Sequence, residues 1–196
     1  MSKSYKVVLL GDTGVGKSSL VSQFVNGNFF EFQEPTIGAA FMAKQFIVDS
    51  QNIKVEIWDT AGQERYKSLA PMYYRGATLA VIVYDITRAD SLAGANFWLK
   101  EIRARGSESC IITLVGNKSD LEHEREISLE EGMLAAQKFK CSHFATSAKD
   151  SESVVKMFKI LGRKLLAMRN VKEIDEPVEF TPRIRKVNST YCCYKG

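Results

Sequence analysis

The sequence predicts an α/β fold in which a six-stranded, mostly parallel sheet has one antiparallel edge strand and helices on both faces. Short apolar runs rich in β-branched residues alternate with longer amphipathic segments, and this alternation is the pattern of βαβ units. A polar turn at residues 49–52 joins the second and third apolar runs, which suits a hairpin. One hairpin within an otherwise alternating order places a single antiparallel strand at the edge of the sheet.

These patterns predict six strands and five helices. The strands span residues 5–10, 41–48, 53–59, 79–85, 110–116 and 143–146. The helices span residues 17–25, 89–104, 128–139 and 152–168, with a short helical segment near 69–74. At the start of the fourth helix, Ser128 precedes Glu131 by three residues, which is the spacing of a capping box.

The last part of the chain differs from the rest. Apolar periodicity ends after about Arg169, and two of the chain's four prolines, Pro177 and Pro182, follow. We therefore predict one folded domain at residues 1–170 and a disordered tail at residues 171–196. A chain of 196 residues has the length expected for one such domain plus a tail.

Composition excludes several classes of protein. The net charge is only +4 and no basic cluster precedes the tail, so nucleic acid is not an expected partner. No segment approaches the roughly 20 apolar residues that span a bilayer, and the first residues lack a signal-peptide core, so the reducing cytosol is expected. Cys110 and Cys141 lie in or beside apolar runs and are expected to be structural thiols.

A glycine-rich segment at residues 11–18 follows the first strand and opens the first helix. Its sequence, GDTGVGKS, fits the pattern G-x-x-x-x-G-K-[ST] of a P-loop nucleoside triphosphatase. Glycines let backbone N–H groups approach phosphate oxygens, and the new helix adds partial positive charge beneath them. Lys17 is expected to neutralise the β- and γ-phosphates. The nucleotide contacts predicted here are Gly14, Val15, Gly16, Lys17, Ser18 and Ser19.

A carboxylate and a glutamine follow the third strand. Asp59 ends that strand, at the same edge of the sheet as the phosphate loop, and is expected to hold Mg²⁺ together with the Ser18 hydroxyl. Thr36, in the connection before the second strand, is expected to supply a second hydroxyl to the metal. Gly62 brings its backbone N–H to the γ-phosphate, and Gln63 is placed to orient an attacking water.

Two further segments predict the base. Asp120, in the tetrapeptide 117–120 (NKSD), can accept hydrogen bonds from guanine N1–H and N2–H₂, a pair that adenine does not offer. Asn117 is expected to tie loops together, and the stem of Lys118 to pack along the base. After the sixth strand, residues 147–149 (Ser147, Ala148 and Lys149) are expected to supply a backbone N–H to guanine O6.

In this order and spacing, the motifs resemble those of the Ras superfamily of small GTPases across residues 5–168. Within that superfamily, residues 57–66 (IWDTAGQERY) and 73–76 (YYRG) look like the Rab branch. Residues 32–41 (FQEPTIGAAF) and 69–74 (LAPMYY) are similar to the early-endosomal Rab subfamily.

The resemblance implies a slow GTPase that switches between a GTP and a GDP state. Segments 31–40 and 61–75 would be ordered by GTP, and Phe29 would pack edge-on against the base. Phe41, Trp58 and Tyr73 would form an aromatic surface read by effectors, with plain packing as the alternative for the same three side chains. The residues implied to carry hydrolysis are Lys17, Thr36, Gly62 and Gln63.

The resemblance also implies partners and a place in the cell. Geranylgeranylation of Cys192 and Cys193 would attach the chain to membranes, since stable anchoring generally takes two signals. The implied partners are a guanine-nucleotide exchange factor, a GTPase-activating protein, effectors and a prenyl-carrier protein of the GDI type. The chain would act as a monomer in endocytic vesicle transport, cycling between cytosol and the cytosolic face of early endosomes.

Two other functions fit part of the pattern. An ATP-using kinase or ATPase has the same phosphate loop, and only residues 117–120 argue against it. A GTP-loaded scaffold with negligible hydrolysis is the second, and Gln63 argues against that one. Thr13 departs from the Ras archetype, which has glycine beside the γ-phosphate, so the intrinsic rate and the docking of an activating arginine stay open.

Overall fold

The computed structural model describes the backbone of residues 4–175 and the side chains of residues 4–168. The strands are β1 (Ser4–Leu10), β2 (Ala39–Val48), β3 (Gln51–Thr60), β4 (Leu79–Asp85), β5 (Ile111–Asn117) and β6 (Ser142–Ala145). The helices are α1 (Lys17–Asn26), α2 (Ala70–Tyr74), α3 (Ala89–Arg105), α4 (Leu129–Lys138) and α5 (Ser151–Asp175).

The six strands form one sheet in the order β2-β3-β1-β4-β5-β6. Every neighbouring pair is parallel except β2 and β3, so the predicted antiparallel edge strand is confirmed. The turn between β2 and β3 is shorter than predicted, because only Asp49 and Ser50 separate the strands. Both residues have positive φ, at 47° and 65°, the geometry of a two-residue hairpin turn.

The core has two layers, one on each face of the sheet. On one face α1 and α5 pack together, with the rings of Phe24 and Phe158 stacked at 3.8 Å. On the other face α2, α3 and α4 cover the sheet around Trp98 and Leu99. Helices therefore lie on both faces, as the alternation predicted. Because all strands but one run the same way, the loops after β1, β3, β5 and β6 meet at one edge.

Three helical features differ from prediction, and one of them is a short 3-10 helix at Glu122–Glu124, between β5 and α4. A 3-10 helix at Glu64–Leu69 precedes α2, and it was missed because its polar sequence carries no apolar period. The last helix runs to Asp175, not to residue 168, so the first five residues of the predicted tail are helical. The end of apolar periodicity marks where the helix stops packing against the core. The backbone can stay helical beyond that point, because the first proline after the start of α5 is Pro177. The remaining tail, with Cys192 and Cys193, lies outside the described residues.

The capping box predicted at α4 is confirmed, and of the two cysteines Cys110 is buried and Cys141 is partly buried. Ser128 Oγ accepts a hydrogen bond from Glu131 N at 3.1 Å, and Glu131 Oε2 accepts one from Ser128 N at 2.7 Å, which completes the capping box. Burial raises the pKa of Cys110 to about 11 and also raises that of Cys141, which makes both thiols less reactive. Within residues 4–175, no helix combines the length and apolar character that a membrane span requires.

Candidate nucleotide-binding site

A pocket of about 310 Å³ opens where the loops after β1, β3, β5 and β6 meet. It is lined by most of the residues predicted to bind nucleotide: Gly14, Gly16, Lys17, Ser18, Ser19, Phe29, Thr36, Gly62, Gln63, Asn117, Lys118, Asp120, Ser147, Ala148 and Lys149. Two predicted residues lie behind the lining. Val15 is fully buried, and Asp59 lies under the Ser18 hydroxyl. The fold thus gathers motifs that are more than 100 residues apart in sequence.

The phosphate loop holds a buried cation at the floor of the pocket. Lys17 Nζ donates hydrogen bonds of 2.8 Å to the carbonyls of Gly11 and Asp12. Burial lowers the pKa of Lys17 to about 8, although the charges of Asp59 and Asp12 act in the opposite direction. A cation that has lost its water and bonds mainly to carbonyls gains strongly from a nearby anion, so this end of the pocket favours phosphate.

Three oxygen atoms converge beside Lys17. Ser18 Oγ donates to Asp59 Oδ2 at 2.5 Å and lies 2.9 Å from Thr36 Oγ1, which is 3.2 Å from the same carboxylate oxygen. Asp59 Oδ1 is buried without a hydrogen-bond partner among the described residues. Burial raises the pKa of Asp59, against the hydrogen bond from Ser18, the charge of Lys17 and the hydrogen bond from Thr36. Two hydroxyl oxygens beside a carboxylate that still has an unpartnered oxygen form a donor set that suits Mg²⁺.

Gly62 and Gln63 close the pocket from the side of β3. A Cβ on Gly62 would lie 2.3 Å from the carbonyl carbon of Asp12, so only glycine lets this backbone touch the phosphate loop. Gln63 has an extended backbone ahead of the 3-10 helix, and its Oε1 accepts a hydrogen bond from Arg65 Nε at 2.7 Å. The Gln63 side chain lines the pocket, and Arg65 holds its amide oxygen Oε1 at the surface.

Asn117 joins the two ends of the pocket. Its Nδ2 donates to the Val15 carbonyl at 2.9 Å, and its Oδ1 accepts from Ala148 N at 3.1 Å. The phosphate loop and the loop after β6 are thereby fixed to one side chain, the tying role that the sequence predicted. Gly16 makes this contact possible, because a Cβ there would lie 2.2 Å from Asn117 Nδ2.

At the other end of the pocket, one carboxylate oxygen of Asp120 already accepts a hydrogen bond within the protein. Its Oδ1 accepts a hydrogen bond of 2.5 Å from Ser147 Oγ, and its Oδ2 lies 3.7 Å from Lys149 Nζ. Lys149 Nζ also lies 5.6 Å from the ring centre of Phe29. Ser147 holds the carboxylate of Asp120 in place, and 29% of the Asp120 side chain is exposed. This geometry suits a planar ligand with neighbouring N–H donors.

Lys118 is positioned by a residue that the sequence did not single out. Its ammonium group forms an ion pair with Asp85, at 2.5 Å from Oδ2, and Asp85 is completely buried at the end of β4. This contact pulls the charged end inward and lays the aliphatic stem across the pocket. Asp85 gave no signal in sequence, because its partner lies 33 residues later.

The start of α3 braces the phosphate loop from outside. Arg88 Nη1 donates to the carbonyl of Thr13 at 3.2 Å, and Arg88 Nε lies 3.3 Å from Asp90 Oδ1. Gly94 packs against Asp12 so closely that a Cβ on it would lie 2.1 Å from the carboxylate. Neither Arg88 nor Gly94 belongs to a sequence motif, and both were missed.

We expect Arg88→Ala to increase the rate of nucleotide dissociation by about three- to tenfold. The change removes one hydrogen bond from a charged donor, which contributes about 1 kcal/mol or slightly more to holding the loop. The rate can be measured by release of a fluorescent guanine nucleotide in stopped flow. Arg105→Ala is the matched control, because Arg105 pairs with Glu101 on α3, far from the pocket. Equal rates in both variants would show that the brace is unimportant.

The predicted aromatic surface exists as one continuous cluster. Phe41 and Trp58 are cross-strand neighbours with ring centres 5.2 Å apart, and Trp58 lies 5.7 Å from Tyr73. Phe41 is 54% exposed, whereas Trp58 and Tyr73 are half-buried against the core. The cluster therefore combines packing with an apolar face open to a partner.

The chain matches known proteins over most of its length. A sequence model of the Ras family matches residues 6–167. Ras-related protein Rab5A of Oryza sativa subsp. japonica is 46% identical over 193 residues, which cover 97% of this chain and 95% of the relative. Ras-related protein RHN1 of Nicotiana plumbaginifolia is 46% identical over 188 residues, 96% of this chain and 94% of the relative. Ras-related protein Rab5 of Nicotiana tabacum is 52% identical over 160 residues, 82% of this chain and 80% of the relative.

Proposed function

Because this chain belongs to the Ras family and is a Rab-type small GTPase, we propose that its pocket binds guanine nucleotide with Mg²⁺ and acts as a switch on endosomal membranes. The chain hydrolyses GTP to GDP and phosphate and acts in vesicle trafficking of the early-endosomal kind.

The observation that carries the proposal is the arrangement of three chemically different groups along one pocket. A buried lysine lies at one end, three oxygens converge beside it, and a carboxylate with one committed oxygen lies at the other end. A triphosphate, a divalent cation and a guanine base match these groups in that order. Adenine offers an acceptor where Asp120 needs a donor, so the same pocket disfavours ATP.

In the proposed mechanism Ser18, Thr36 and Asp59 would hold Mg²⁺, and the bound ion would supply positive charge against the phosphates. Lys17 holds the same phosphates, and Gln63 orients the attacking water. No arginine among the described residues lines the pocket. We therefore expect slow intrinsic hydrolysis, on the order of 10⁻⁴ s⁻¹, and strong stimulation by an activator that inserts an arginine.

Because intrinsic GTP hydrolysis is expected to be slow, partner proteins would determine which nucleotide is bound. An exchange factor would load GTP, an activator would end the signal, and effectors would bind the cluster of Phe41, Trp58 and Tyr73. Prenyl groups on Cys192 and Cys193, with a GDI-type carrier, would let the chain cycle between cytosol and early endosomal membranes. Mass spectrometry of protein from its native cell tests this step, and unmodified cysteines would contradict it.

The metal assignment predicts a specific defect in Ser18→Asn. We expect its affinity for Mg²⁺-GTP to fall about 10- to 100-fold relative to its affinity for GDP, because losing a metal-shell group costs about that factor. Titration calorimetry with both nucleotides measures the ratio. Ser18→Thr keeps the hydroxyl and should behave like the wild type. Equal losses of GTP and GDP affinity in Ser18→Asn would contradict the metal assignment.

A further inference from the structure

A second groove lies between α4 and β6, outside the nucleotide pocket. This α4–β6 groove has a volume of about 1030 Å³ and is lined mainly by Leu129, Met133, Leu134, Cys141, His143 and Phe144. Its three α4 side chains are large, apolar and more than half exposed, at 51% for Leu129, 54% for Met133 and 63% for Leu134. A row of exposed apolar side chains along one helix marks a surface that another segment covers.

The two ends of the α4–β6 groove carry opposite charge. Because β6 is parallel to β5, α4 runs antiparallel to β6, and its first residue lies at the edge of the sheet that carries the nucleotide pocket. Residues 122–131, at that end, contain five glutamates and one arginine, and of these glutamates Glu130 lines the groove itself. At the other end lie Lys138, Lys140 and Lys164, and Lys164 Nζ donates to Ser142 Oγ at 2.8 Å where β6 begins.

The chain's own last segment has the complementary order of charge. After α5 ends at Asp175, residues 176–179 contain two acidic residues and no basic one, and residues 180–187 (FTPRIRKV) contain three basic residues and no acidic one. Phe180, Ile184 and Val187 are spaced among those basic residues. A segment that runs parallel to β6 enters the groove at its lysine end and leaves it at its glutamate end. The acidic residues of the segment then lie near the lysines, and its basic residues lie near the glutamates.

The length of the chain allows this path. From Lys164, beside the start of β6, α5 continues for eleven residues to Asp175, a distance of about 16 Å at the helical rise. The ten residues of α4 extend about 15 Å along the groove. Residues 176–187, fully extended, span up to about 40 Å, which is enough to return from the end of α5 and follow α4 to its beginning.

We propose that residues 180–187 dock in the α4–β6 groove of the same chain, running parallel to β6. Phe180 lies near Cys141 at the lysine end of the groove, and Ile184 covers Met133 and Leu134. The basic residues of the segment then approach Glu130 and the net negative charge of residues 122–131. The docking has a consequence that rests on the proposed lipidation. The free tether before Cys192 shortens from sixteen residues after Asp175 to four after Val187, so the domain is held close to the membrane.

Methionine methyl resonances in the full-length, unlipidated protein test the docking directly. Met133 lines the groove, whereas Met42 and Met157 lie in or against the core on the other face of the sheet and serve as internal references. We expect the double variant Phe180→Ser, Ile184→Ser to shift the Met133 methyl signal and leave the references in place. Thr190→Ser, beyond the docked segment, is the matched control and should change nothing. An unmoved Met133 signal in the double variant overturns the proposal.

Trypsin cleavage after Arg183, Arg185 and Lys186 gives a second readout. We expect Leu134→Gln to increase the rate of these cleavages about fivefold, because losing one leucine's apolar contact raises the undocked fraction by roughly that factor. Ile47→Gln is the control, since Ile47 is 67% exposed on the opposite edge strand. Equal rates in the two variants overturn the proposal. A Met133 shift that disappears on dilution also overturns it, because a second copy's segment would then be the occupant.

Discussion

Asp120→Asn is expected to weaken GTP binding by about 10²- to 10³-fold and to improve binding of xanthosine triphosphate. In the proposed complex the carboxylate accepts from two guanine N–H donors, and each hydrogen bond to a charged group contributes about 1.5–3 kcal/mol. An amide faces guanine N2–H₂ with a donor of its own, whereas xanthine carries a carbonyl oxygen at that position. Competition between the two triphosphates for a fluorescent nucleotide measures the exchange of preference.

The control for this prediction keeps the chemistry of the substitution and moves it out of the pocket. Asp150 Oδ1 accepts from Glu152 N at 3.0 Å where α5 begins, so Asp150→Asn changes the same atoms without facing the base. It should bind GTP as the wild type does. If Asp120→Asn also retained full GTP affinity and gained nothing for xanthosine triphosphate, the base-reading role of Asp120 would be wrong.

Gln63→Leu is expected to lock the chain in its GTP state by lowering activator-stimulated hydrolysis at least about 10²- to 10³-fold. Leucine fills a similar volume but cannot orient a water molecule or donate to a developing charge, and loss of one such group costs about that factor. GTP binding should persist, because Lys17 and Asn117 are untouched. Single-turnover hydrolysis of loaded GTP, with and without the activating domain of a Rab-type GTPase activator, separates the two effects.

Arg65→Ala provides the comparison for Gln63→Leu. Arg65 Nε holds Gln63 Oε1 at 2.7 Å, so its removal frees the glutamine without deleting it. Stimulated hydrolysis should then stay within a few-fold of the wild type. Undiminished stimulated hydrolysis in Gln63→Leu would refute the role given to this side chain and would favour a different group as the one that positions the water.

Most of the predicted site residues line one pocket because most of them follow a strand. The carboxyl ends of parallel strands meet at one edge, so Lys17, Asp59 and Asp120 are brought together by topology alone. The chemistry of phosphate, metal and guanine then limits which residue types can serve. Hairpin and capping-box predictions were equally local, and the turn at Asp49 and the cap at Ser128 follow from neighbouring residues.

Contacts between distant residues could not be predicted in the same way. The brace from Arg88 to Thr13 and the ion pair of Lys118 with Asp85 depend on tertiary distances that no spacing reveals. The 3-10 helix at Glu64–Leu69 escaped because neighbouring structure, not an apolar period, holds it. The true end of α5 was missed for a related reason, since backbone helicity continues after the packed face ends.

The central claim is that one edge of the sheet holds a pocket selective for guanine nucleotide with magnesium. Calorimetric titration of the nucleotide-stripped, full-length chain with GDP, GTP and ATP, each with Mg²⁺ and again with excess EDTA, tests it most directly. We predict tight binding of both guanine nucleotides, a marked loss when the metal is removed, and no measurable binding of ATP. Binding of ATP as tight as that of GTP, or GTP binding that is indifferent to EDTA, would contradict the account.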